Sequence, residues 1–263
     1  MRKIECISVF DMLKIGVGPS SSHTLGPWRA AQRWIGELKQ KEIFNEVTGI
    51  HIDLYGSLSL TGKGHATDVA VMLGPAGFDP VKMDIEQIDP EIEYIRETRT
   101  IYLNGEKIID FDPSINIKFN KNFLEFHPNG ITFRAYLTSG KKISSSFYSI
   151  GGGFVVKEER KNAKEKMEIF QGFPFPIEKA TELLEYCRTQ NKPISSIVLE
   201  NERSLRTDEE INQGLRDVWQ VMLESMYVGC HTEGTLPGGL NVHRRSFDIH
   251  KRLIGDAKYA GPE

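Results

Sequence analysis

The sequence predicts an α+β fold: a first domain of helices around a β-rich middle, followed by an all-helical part. Three observations carry this. Residues 99–150 hold five short β-like runs (TIYL, KIIDF, INIKF, ITFRAYLT and KISSSFYSI), with turn signals at Asn104-Gly105, Asn129-Gly130 and Ser139-Gly140. Before them, helical and strand patterns follow one another. After them, residues 177–191, 197–203 and 208–227 are helical in pattern.

Taken in order, residues 8–16 read as a short amphipathic helix, with Val9, Met12 and Leu13 on the helical period and Val17 just beyond. A polar loop from Gly18 to Pro27 follows. Residues 28–41 then read as a helix with Ala30, Ala31, Trp34, Ile35 and Leu38 on one face. Pro27 suits its first position, where a missing N–H costs nothing. Trp28 and Trp34 read as core or interface residues. Ile50, Ile52 and Leu54 alternate as in a strand. The loop from Thr61 to His65 leads into a helix ended by Gly74-Pro75-Ala76-Gly77. Residues 157–166, KEERKNAKEK, read as a solvated linker. This gives an α+β domain over residues 1–156, a charged linker over 157–172 and a helical part over 173–263, with no internal repeat.

Composition narrows the function classes. The 263 residues are 39% hydrophobic and 26% charged, with a formal net charge of −3. That balance suits a globular chain and leaves no basic footprint for nucleic acid. The three cysteines, Cys6, Cys187 and Cys230, are too widely spaced for a disulfide framework or a zinc motif. Glu5, Asp11 and Lys14 interrupt any signal-peptide core, and no apolar run reaches the roughly 20 residues that span a bilayer. A cytoplasmic protein without membrane contact is the expectation.

Three segments could carry chemistry. Ser20-Ser21-Ser22-His23-Thr24 places four hydroxyls and an imidazole before a helix start, where free N–H groups and the helix dipole favour an anion such as a carboxylate. Capping alone needs one hydroxyl. Residues 56–68, GSLSLTGKGHATD, resemble a phosphate-binding loop only superficially. The spacing between glycines is wrong, and Gly64 follows Lys63 where that motif has Ser or Thr. What remains is a strand–loop–helix junction with His65 near the helix start, as readily a capping histidine as a catalytic one. Ser149-Ile150-Gly151-Gly152-Gly153 could approach a ligand closely or simply be a flexible exit from the β region. A turn-rich loop, residues 233–240, and the charges of His243-Arg244-Arg245 read as structural.

Together and in this order, these blocks resemble bacterial iron–sulfur L-serine dehydratases. The opening from Ser8-Val9-Phe10-Asp11 to Gly18-Pro19-Ser20-Ser21-Ser22-His23-Thr24-Leu25-Gly26-Pro27 carries the resemblance. So does Gly56-Ser57-Leu58 with Thr61-Gly62-Lys63-Gly64-His65 and Thr67-Asp68. His127-Pro128-Asn129-Gly130, Tyr148-Ser149-Ile150-Gly151-Gly152-Gly153-Phe154, and Glu233-Gly234-Thr235-Leu236-Pro237-Gly238-Gly239-Leu240 with Arg244-Arg245 support it. The resemblance implies a first domain similar to the allosteric substrate-binding domain of phosphoglycerate dehydrogenases, then the start of an all-α catalytic domain. It implies conversion of L-serine to pyruvate and ammonia by a homodimer, without pyridoxal phosphate. A [4Fe–4S] cluster held by three cysteines would act as Lewis acid on the substrate hydroxyl. His65 would take the Cα proton, with Thr67 beside it. Ser21, Ser22, His23 and Thr24 would bind the substrate, and Ser149 and Gly151 would border the cleft.

The cluster cysteines of this family follow the LPGGL segment, and Cys6, Cys187 and Cys230 do not match their positions. The expectation is therefore a chain that stops before its cluster ligands, inactive alone and prone to aggregate. The alternative is a non-catalytic serine-binding module. A pyridoxal-phosphate lyase is a third reading, resting on Lys63 alone.

Overall fold

The structure, a computed structural model, describes residues 7–18, 20–158, 173–236 and 241–255. Its contacts divide the chain into two compact units, one of Gly16–Arg160 with Thr235–His243, the other of Met1–Ile15, Lys161–Gly234 and Arg244–Glu263.

In chain order the elements are α1 (Val9–Met12), α2 (Gly26–Gln40), β1 (Val47–Leu54), α3 (Ser57–Leu60), α4 (Thr67–Ala76) and α5 (Ile88–Thr98). Then come β2 (Thr100–Leu103), β3 (Lys107–Asp110), α6 (Pro113–Asn116), β4 (Ile117–Phe119), β5 (Gly130–Leu137), β6 (Lys142–Gly151) and β7 (Phe154–Lys157). The last are α7 (Ala180–Gln190), α8 (Ile194–Arg203), α9 (Asp208–His231) and α10 (Arg245–Ile254).

The larger unit is a mixed α/β assembly around one sheet, ordered β2-β3-β1-β5-β6-β7, with β4 also paired to β1. Central β1 runs antiparallel to β5 and parallel to β3 and β4. Period-2 alternation sorts its side chains by face. Ile50, Ile52 and Leu54, with Ile131, Phe133 and Ala135 across the ladder, are fully buried in the core. The helical stripe expected for α2 supplies the other side: Ala30, Ala31, Trp34, Ile35 and Leu38 are all buried, and Trp34 stacks on Phe133 at 5.0 Å. Trp28 is fully buried too, its indole N–H donating to the Phe78 carbonyl at 2.8 Å. The opposite sheet face carries His51, Asp53, Thr132 and Arg134. There the buried Asp53 pairs with Arg134 and accepts from Asn120 Nδ2 at 3.2 Å.

Several elements differ from the sequence expectations. Residues 21–25, read as loop, form a π-helical turn that runs straight into α2. The strand expected over INIKF shortens to β4, because Asp112 caps the preceding turn, accepting from Ser114 N at 2.9 Å, with Pro113 at its start. The glycines after β6 are a hairpin. Gly151 pairs with Phe154, and Gly152 and Gly153 both have positive φ, as a two-residue primed turn requires. Lys157, read as the start of the charged linker, instead ends β7 and pairs with Glu37. Residues 159–172 of that linker and residues 237–240 of the turn-rich loop lie outside the described residues, as do Cys6 and residues 256–263.

In the second unit α1 is tied to α8. Ser8 caps α1, its hydroxyl accepting from Phe10 N at 3.1 Å and donating to Glu202 at 2.8 Å. The Glu202 carboxylate also accepts from Val9 N at 2.7 Å and from Arg206 at 2.9 Å. These first residues, read from sequence as the opening of the β domain, thus cluster with the helices. A reciprocal capping box between Thr207 and Glu210 starts α9. No helix among the described residues is long and apolar enough to cross a membrane.

Candidate active site

Strands β1 and β6 run parallel to each other, since both are antiparallel to β5. Their C-terminal ends therefore lie at the same side of the sheet. The Gly56–His65 segment leaves β1 there, and Ser149 stands near the end of β6. The π-helical turn before α2 meets both.

The turn exists because Pro27 has no N–H. Gly26 N donates five residues back, to Ser21 O, so Ser22 O loses its ordinary partner at Gly26. Its next chance, residue 27, is the proline. Ser149 fills the gap: its hydroxyl, fully buried, donates to Ser22 O at 2.7 Å. His23 O, four residues before the proline, accepts from the Thr67 hydroxyl at 2.7 Å. Gly26 leaves the space that Ser149 needs, since a Cβ at residue 26 would lie 2.7 Å from Ser149 Cβ. Asn129 in turn holds Ser149, donating from Nδ2 to its carbonyl at 3.0 Å.

The two histidines face different chemistry. His23 has a hydroxyl at each ring nitrogen, Ser22 Oγ at 2.9 Å from Nδ1 and Ser57 Oγ at 3.0 Å from Nε2. Burial and the neighbouring His65 push its pKa below the ordinary imidazole value, and the Ser57 contact offsets this in part. His65 lies with its ring 5.0 Å from that of His23. Its Nδ1 stands 2.9 Å from Thr61 O. A carbonyl only accepts, so neutral His65 carries its proton on Nδ1 and leaves a lone pair on Nε2. Ala66, next to it, sits in the left-handed region at φ 55°, a conformation that costs a residue with a Cβ about 1 kcal/mol or more.

Of the predicted site residues, the structure brings Ser22, His23, Thr24, His65, Thr67 and Ser149 into one bonded cluster. Ser21 is exposed, and its hydroxyl has no partner among the described residues. Gly151 belongs to the hairpin turn, with nothing within 4 Å of where its Cβ would stand. None of the hydroxyls acts as a side-chain cap at this helix start. Sequence reasoning gave no site role to Ser57, Thr61 or Asn129, although each lay inside a noted block. Gly56, before Ser57, carries the positive φ, 53°, that turns the chain out of β1.

A [4Fe–4S] cluster needs several thiolates brought together. Cys187 and Cys230 are free, and among the described residues no group of three or more His, Cys, Asp or Glu side chains could hold a metal ion. The described residues do not fit that group.

Comparison with known proteins gives one consistent picture. Residues 8–160 match the family described as serine dehydratase beta chain. The chain is 41% identical over 249 residues to the L-serine dehydratase of Haemophilus influenzae, covering 94% of this chain and 54% of that one. It is 40% identical over 253 residues to L-serine dehydratase 1 of Escherichia coli, covering 96% and 55%. It is 39% identical over 249 residues to the L-serine dehydratase of Streptomyces coelicolor, covering 94% and 55%. The chain thus spans about half the length of the curated relatives it matches.

Proposed function

This chain belongs to the serine dehydratase beta chain family, and on that premise we propose that it carries the substrate site of an L-serine ammonia-lyase. In this reading His65 takes the Cα proton of L-serine on Nε2, the Cβ–O bond breaks, and the same proton leaves with the hydroxide as water. The aminoacrylate so formed tautomerises to an imine and hydrolyses to pyruvate and ammonia.

The observation that carries the reading is the hydrogen bond from His65 Nδ1–H to Thr61 O at 2.9 Å. It fixes the tautomer in which the neutral ring has its lone pair on Nε2, the arrangement a general base requires. The other groups bind and orient. Ser21, Ser22 and His23, at the start of a helix, suit a substrate carboxylate, with the buried Thr24 behind them donating to His65 O. In this reading Thr67 and Ser149 support the site from behind, through their bonds to His23 O and Ser22 O, and Gly151 stays in the hairpin turn.

The described residues hold no thiolate set for an iron–sulfur cluster, so in this reading its donors lie elsewhere. The homodimer and the cytoplasmic setting rest on the family resemblance.

The test is L-serine turnover by the holoenzyme prepared without oxygen. Pyruvate and ammonia released in equal amounts support the lyase. Saturable L-serine binding with no pyruvate would replace it with the serine-binding module.

A further inference from the structure

The hydroxyls of this site are of two kinds. Thr24, Thr67 and Ser149 are buried, at 1%, 0% and 0% exposure, and each hydroxyl donates to a main-chain carbonyl. A hydroxyl has one proton to give. With that proton spent and no solvent access, none of the three can donate to a substrate.

The pattern of acceptors is reciprocal. Thr24, the residue after His23, donates to His65 O at 3.0 Å. Thr67, two residues after His65, donates to His23 O at 2.7 Å. Each histidine's carbonyl is held by a threonine from the other's segment, and Ser149 holds the carbonyl between Ser22 and His23. The carbonyls of Ser22 and His23 are available because Gly26 N donates to Ser21 O and Pro27 has no N–H.

Resting on the lyase reading, we infer that Thr24 and Thr67 are positioning residues: a cross-brace, made necessary by Pro27, that sets the spacing of His23 and His65 through their main chains. Among the described residues the exposed Ser21 hydroxyl has no partner, and of Ser22 and Ser57 the one that accepts from the His23 N–H keeps its own proton as well. Ser22 and Ser57 are engaged with the His23 ring rather than with a carbonyl.

The test replaces the Thr67 hydroxyl by a methyl of the same shape (Thr67→Val), keeps it (Thr67→Ser), and restores a backbone donor at residue 27 (Pro27→Ala). In this chain, with the imidazoles labelled for NMR, wild type gives a cross-peak between the His23 and His65 rings. It also gives a His23 titration below the ordinary imidazole value. Thr67→Val loses the cross-peak and moves the His23 midpoint up. Thr67→Ser retains both, and Pro27→Ala combined with Thr67→Val recovers them in part. In the holoenzyme Thr67→Val lowers kcat by about 10–100-fold with little change in KM, the size expected for misplacing a catalytic group by roughly 1 Å. If Thr67→Val does not fold, Thr24→Val reads the same brace from its other end. A folded Thr67→Val or Thr24→Val that keeps ring proximity and titration, and raises only KM for L-serine, overturns the brace and makes the hydroxyl a substrate contact. The ring measurements need no turnover, so the brace and the lyase reading fail separately.

Discussion

At Gly26 a single missing methyl group decides whether the site can form. Ser149 is fully buried with its hydroxyl on Ser22 O, and it occupies the space where a residue-26 side chain would begin. Gly26→Ala therefore forces Ser149 away and strips Ser22 O of its donor. Overpacking of this kind costs roughly 1–3 kcal/mol, so the urea midpoint of the larger unit is expected to fall and the His23–His65 spacing to change with it. An unchanged midpoint would mean that the turn has room to relax. At this scale the residue types were legible in the sequence: the hydroxyl cluster, both histidines and Ser149. Their division of labour was not. Which hydroxyl meets a carbonyl depends on partners 41, 44 and 127 residues away, and local pattern does not carry such distances.

Among the elements, α1 is too short to hold itself together. Four residues make barely one turn, and nucleating a helix is unfavourable. What holds it is the Glu202 carboxylate on α8, which meets Ser8 Oγ, Val9 N and Arg206 at once, itself 3% exposed. Glu202→Ala leaves those donors without their acceptor. Stranded buried polar groups cost about 1–3 kcal/mol, and the expected result is loss of α1 amide protection in hydrogen exchange while the β1 and β5 amides keep theirs. Retained protection at Val9 and Phe10 would show another anchor. Strong periodicity made α2, α4 and most strands readable: the predicted α2 face is buried residue for residue. The π-helical turn was read as loop because glycine, proline and serines signal irregular backbone, while the bonds that order it come from α4 and β6. Helix α10 was passed over because His243-Arg244-Arg245 drew notice only as charge, whereas Arg245 opens a helix with Phe247, Ile249 and Leu253 along it.

For the molecule as a whole, the α+β class of the first domain was legible from turn signals and alternation, and the sheet is there with β1 at its centre. The membership of residues 7–15 was not, because a bond between Ser8 and Glu202 spans 194 positions. The larger unit also carries a pH dependence that follows from its histidines. Burial, with nearby positive charge, depresses His23 and also His51, where Arg134, Lys118 and Lys142 add to the effect. The unfolded chain then binds protons at a higher pH than the folded one. Stability is fully present above the ordinary imidazole value and is lost as pH falls through the two depressed values. Urea midpoints should decline between about pH 7.5 and about pH 5.5, and less steeply in His23→Gln or His51→Gln. A flat profile would contradict the depressed values. The central claim is that His65 Nε2 takes the substrate proton, and the most direct measurement is kcat for L-serine in a His65→Ala holoenzyme with an unchanged melting midpoint. The account predicts a fall of about 10²–10⁴-fold, the usual contribution of a general base. Near-normal turnover would contradict it and move the base elsewhere.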